Sequence, residues 1–150
     1  MSRPRTLRKL IWVSLGIQFA GMVFDYAWHG LHSDFKPVTV REMAIHLSTV
    51  HLPLYVGVLS VLVTTAWALV GHIRQSQIGI GLPIAFAGAL IAAAGEGWHA
   101  YTHLQLSTHS GPIAGTTAFV GFIVVVTALW LAGRHERRRA ADDIDHRRTG

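Results

Sequence analysis

A chain of 150 residues suits one domain; 51% of its residues are hydrophobic, 14% are charged, and its formal net charge is +5. The basic residues flank long apolar stretches rather than forming a patch, so they read as membrane topology and not as a nucleic-acid surface. Cysteine is absent, which excludes disulfides and thiolate metal sites.

The first apolar stretch, residues 10–31, follows Arg3, Arg5, Arg8 and Lys9. It lacks a small-x-small cleavage site and runs on through "FDYAWHG", so it reads as an uncleaved signal anchor. Its outer end, "DYAWHGLH", places Asp25, His29 and His32 at i, i+4 and i+7, one stripe on a helix. In the loop that follows, "TVREMAIH" offers Thr39 as an N-cap with Glu42 three residues later, a capping box. A helix starting there sets Glu42 and His46 on one face, and His51 precedes the second stretch, 52–71, which Arg74 follows. The third stretch, 78–99, carries Gly81, Gly88 and Gly95 seven apart with Ala85 and Ala92 on the same side. Such a small-residue seam lets a neighbouring helix come close, which predicts contact with the first-span stripe or with a second copy or membrane partner. The third stretch ends in "GEGWHAYTH", where Glu96, His99 and His103 again form one stripe. His109 opens the approach to the fourth stretch, 112–133, and the charged segment 134–150 is expected to be a disordered cytoplasmic tail.

Each apolar stretch is about 20 residues, enough to cross the roughly 30 Å hydrocarbon core as a helix. The expected fold is all-α: a four-transmembrane-helix bundle, multi-pass in a bacterial inner membrane, with lipid as its partner. Arg3, Arg5, Arg8, Lys9, Arg74, Arg134 and Arg137–Arg139 outweigh Lys36 and Arg41, so both termini are expected in the cytoplasm. Trp12, Trp67 and Trp130 then lie at inner ends, and Trp28, Trp98, Tyr26, Tyr55 and Tyr101 at outer ends. The repeated Trp-His motif and the echo of "HLSTVHLP" in "HLQLSTHSGP" suggest two parallel halves, residues 10–74 and 78–133.

This topology sends Asp25, His29, His32, Glu42, His46, His51, Glu96, His99, His103 and His109 to the extracytoplasmic end. Taken singly, Glu42 suits helix capping alone, and His32, His51 and His109 suit the headgroup level, where a half-polar ring is comfortable. Asp25 and Glu96 resist such a reading. Asp25 lies about 22 Å along its helix, where an unpaired carboxylate costs about 2.5–3.5 kcal/mol on insertion scales. No lysine or arginine within that span neutralises it, which leaves a bound cation or a protonated histidine. Imidazole and carboxylate at i, i+3 or i+4 aim at one ion from a single helical face. Nitrogen and oxygen donors without sulfur suit copper(II) or zinc, with iron also compatible; haem fits less naturally, because it has no need of the acids.

"DYAWH" followed by "HLPLYVG" resembles a group of small bacterial multi-span membrane proteins. The stretch is also similar, more distantly, to the metal-binding part of the C subunit of particulate methane and ammonia monooxygenases. That resemblance implies a copper site in which Asp25 and His29 form the Asp-x-x-x-His pair. The third ligand position falls near Glu42, with His46 the nearest histidine. It covers one span and one loop and does not extend to residues 78–150.

Three readings follow. One is a membrane protein holding one or two transition-metal ions, whether redox-active or not; whether it is an enzyme is not decided by these residues. The second is a non-enzymatic metal-handling or pH-sensing accessory, and the third a small b-type haem carrier. The first demands a geometry: both stripes must face the bundle axis, with His29 and His99 within about 8 Å.

Overall fold

The computed structural model describes residues 3–74, 79–106 and 112–149, and every element among them is helical. The helices are α1 (Arg3–Leu31), α2 (Val40–Thr49), α3 (Leu52–Arg74), α4 (Gly81–Leu104) and α5 (Pro112–Thr149). Four contain apolar segments long enough to cross a membrane, Thr6–Leu31, Leu52–Ile73, Gly81–Leu104 and Ile113–His135. Large apolar side chains stay on the outside of these helices, among them Val13, Leu59, Val63 and Phe119. In water such faces would drive aggregation; in lipid they are the solvated surface. The protein is a multi-pass helical membrane protein.

Several helices differ from their expected extents: α1 already begins at Arg3 and α3 runs to Arg74. The third span runs on to Leu104 rather than ending at residue 99, because "HAYTHL" contains no helix breaker, and this keeps His99 and His103 on one helix. The last helix continues through the charged segment to Thr149, where an unstructured tail was expected. Arginine, abundant there, is a strong helix former, and residues 134–149 contain neither glycine nor proline.

The helices pack chiefly as two pairs, α1 with α3 and α4 with α5, joined through α3 and α4. The small-residue seam of α4 is filled from within the chain. A Cβ on Gly95 would stand 2.5 Å from the Ala118 nitrogen, and one on Gly88 would stand 2.9 Å from the Gly121 carbonyl. Gly81 likewise abuts Ala132. The seam therefore holds α5 rather than the first-span stripe, because the covalently attached neighbour occupies it. The other pair has an equivalent contact: Gly21 admits the Leu54 backbone and Gly57 admits that of Gln18.

Ile11, Leu15, Val61, Ala68, Ala85, Ala89, Phe122, Val125, Ala128 and Leu129 build a dry core toward the end at which α1 starts. Buried Thr65 donates to the Val61 carbonyl at 2.7 Å, so its hydroxyl makes no demand on a neighbouring helix. Trp12, Trp67 and Trp130 are exposed at this same end, with the Arg134 guanidinium 4.5 Å from the Trp130 ring centre. The buried histidines lie at the opposite end.

Candidate metal centre

The first contribution comes from the end of α1, where helical spacing puts Asp25 and His29 on one face. His32 does not join them. Its ring is exposed, stacks on Trp28 at 4.5 Å and 12°, and places Nδ1 3.0 Å from the Trp28 carbonyl.

α2 then crosses toward α3 and α4. Its capping box forms as the sequence indicates: Thr39 Oγ1 accepts from the Glu42 amide at 3.2 Å, and Glu42 Oε2 accepts from Thr39 and Val38 amides at 3.2 and 2.8 Å. Glu42 is thereby exposed and committed to the helix start. Those amides also hold its carboxyl below the usual glutamate range. Met43, His46 and Leu47, on the buried face of this short amphipathic helix, turn inward.

Val50 returns its amide to the His46 carbonyl at 2.8 Å, and Tyr55 binds the His51 carbonyl at 3.0 Å, so α2 passes almost directly into α3. His51 sits in that joint and is completely buried, at 0% exposure. The headgroup level that this ring would suit if taken singly is not where it lies: it stands among the other histidines of the candidate set. The Tyr55 ring stacks against it with centres 5.8 Å apart. Tyr55 stood out in the sequence only as an outer-end aromatic, and its i+4 spacing from His51 was the available signal.

α4 completes the cluster with His99 and His103, whose Nε2 atoms are 3.0 Å apart. His51 Nε2 lies 3.2 Å from His46 Nε2 and 3.5 Å from His29 Nε2. Asp25 Oδ1 lies 3.1 Å from His51 Nδ1 and 3.5 Å from His29 Nε2. The stripes of α1 and α4 thus meet across His51, with the His29 and His103 rings 6.2 Å apart and nearly parallel. Donor atoms of His29, His51 and His103 all fall within 4.8 Å of one another, and so do those of Asp25, His51 and His99. Ligands sharing an ion at bonds of about 2.0–2.1 Å stand about 3–4 Å apart, the spacing seen here.

Several of these atoms are buried without a hydrogen-bond partner: Asp25 Oδ1, His51 Nδ1 and His103 Nδ1, together with Tyr55 Oη and Glu96 Oε2. Asp25 and His51 approach at 3.1 Å, yet the angle between them is wrong for a hydrogen bond. An unsatisfied buried polar atom costs about 1–3 kcal/mol, so this concentration asks for a ligand. Burial pushes His46 down to about 4, with His29 and His103 adding to the effect. Burial likewise pushes His51 down, reinforced by His99, His103, His46 and His29. Both rings are neutral at pH 7, the form that ligates metal.

Glu96 is 7% exposed and borders an apolar cleft between α3 and α4 that Tyr55 also lines. It is outside both three-residue donor groups. His109 lies outside the described residues. A cavity of about 190 Å³ opens beside His29, His46 and His103, bordered by Phe35 and Met43. Comparison with protein-family models, with curated proteins and with solved structures yields no match.

Proposed function

We propose that this protein binds transition-metal ions at the outer end of its bundle, through Asp25, His29, His46, His51, His99 and His103. The observation that carries the reading is the convergence of six donor side chains from α1, α2, the α2–α3 joint and α4 at ligand-to-ligand spacing. Imidazole nitrogens with one carboxylate suit copper(II) or zinc first, and iron next. The adjoining cavity of about 190 Å³ is below the roughly 300–1,000 Å³ of cofactor-sized pockets, which favours ions over haem. The positive-inside distribution supports cytoplasmic termini in a bacterial inner membrane and a centre facing outward. The pairing of α1 with α3 and of α4 with α5 supports a two-fold relation between residues 10–74 and 78–133.

When bound, such an ion would supply Lewis-acid or redox chemistry, and the chain's own part is to hold the donor side chains at fixed spacing. The same contacts favour one alternative, a proton-handling histidine network running from His46 through His51 to His29. Elemental analysis of the full chain purified in mild detergent, with its visible spectrum, separates the readings. At least one copper, zinc or iron per chain, lost on substitution of His51, supports the metal centre. Metal-free protein that takes up none from solution overturns it in favour of the network, and a haem spectrum overturns both.

A further inference from the structure

Resting on the metal-centre reading, we infer that His51 bridges two metal ions, one on each ring nitrogen. The two donor groups, His29–His51–His103 and Asp25–His51–His99, have His51 as their single common member. Its ring presents different neighbours on its two sides: Asp25 Oδ1 at 3.1 Å from Nδ1, and His46 and His29 nitrogens at 3.2 and 3.5 Å from Nε2. Lone pairs on the two imidazole nitrogens diverge in the ring plane, so one ion cannot use both.

In an ordinary ligating histidine the nitrogen not bound to metal donates its proton to a carboxylate or carbonyl. Asp25 is close enough for that role, but the contact lacks hydrogen-bond geometry, and both Asp25 Oδ1 and His51 Nδ1 are buried without a hydrogen-bond partner. An ion between them satisfies both atoms at once. The ion on Nδ1 is then held by Asp25 and His99, and the ion on Nε2 by His29 and His103, with His46 at hand as a fourth donor. The Nδ1 ion, with three protein ligands, keeps a position open, as catalytic sites do. Binding of the second ion replaces the remaining ring proton of His51, which leaves to solvent as one H⁺ per chain. The Tyr55 ring stacked on His51 and the complete burial of His51 fix the orientation that the bridge requires.

Two bonds of about 2.0–2.1 Å, plus the ring's own nitrogen-to-nitrogen span of roughly 2.2 Å, set the ions about 6 Å apart. Copper(II) ions linked this way through an imidazolate couple their unpaired spins. The test loads the metal-free full chain in detergent with copper(II) alone, counts copper per chain, and integrates the electron paramagnetic resonance signal at low temperature. Two coppers per chain with a signal well below two spins support the bridge, as does loss of one copper and of the coupling in Asp25→Ala. One copper per chain overturns the bridge and leaves a mononuclear centre with Asp25 as an outer partner. Two coppers with a full two-spin signal also overturn it. No copper bound here, with no zinc or iron taken up when each is offered in turn, overturns the metal-centre reading itself.

Discussion

His51 Nδ1 and Asp25 Oδ1 face each other at 3.1 Å in the buried end of the bundle, and neither has a hydrogen-bond partner. One comes from the joint between α2 and α3 and the other from the last turns of α1. Their approach is the contact through which the α1 stripe and the α4 stripe become one cluster.

Substitutions around this contact are expected to separate ligands from bystanders. Single alanine variants of His46, His51 or His99 should weaken zinc or copper binding by at least about 10–100-fold, the range attached even to outer-shell partners of metal ligands. His32→Ala should leave it within about twofold, since that ring stacks on Trp28 and is exposed. Equilibrium titration with a competing chelator measures both, and equal losses in His32→Ala and His51→Ala would remove the distinction.

Close helix approach predicts opposite outcomes for two glycines. Gly95→Ala drives a methyl to 2.5 Å from the Ala118 nitrogen, and overpacking of this kind costs about 1–3 kcal/mol. Gly16→Ala meets nothing within 4 Å and should gain up to about 1 kcal/mol from helix propensity. Thermal unfolding midpoints in detergent should move down and up respectively. Midpoints shifted in the same direction would contradict the α4–α5 seam.

Glu42 makes α2 sensitive to acid. Its folded carboxyl titrates below its ordinary value because the Val38 and Thr39 amides stabilise the anion. Its contribution is therefore present above the unfolded pKa of 4.5 and disappears as pH falls through the lower folded value. Hydrogen exchange at the Val38 and Thr39 amides should accelerate beyond its intrinsic pH trend on acidification through this window. Glu42→Gln should abolish that extra step; its persistence in the variant would assign the step to another group.

Membrane orientation has a direct readout. A reporter fused after Gly150 should be active only in its cytoplasmic form, and a cysteine placed at the exposed Ser33 should react with an impermeant thiol reagent from outside. Periplasmic reporter activity would reverse the side on which the cluster opens.

Much of the architecture is written locally. Twenty-residue apolar stretches without a polar face are long enough to span a membrane as helices, and Thr39 with Glu42 marks the start of α2 without any tertiary information. The stripes at Asp25–His29 and His99–His103 are equally local, because helical periodicity alone aligns them. Tertiary structure decided which partners those stripes meet. It assigned the Gly81–Gly88–Gly95 seam to α5 and set His51, at the joint of α2 and α3, among the histidines of α1, α2 and α4. The reason is that periodicity fixes which residues share a face but not which helix the face opposes. That choice belongs to the backbone close approaches at Gly21, Gly57 and Gly95 and to the tight joint at His51, where residues distant in the chain compete for the same space.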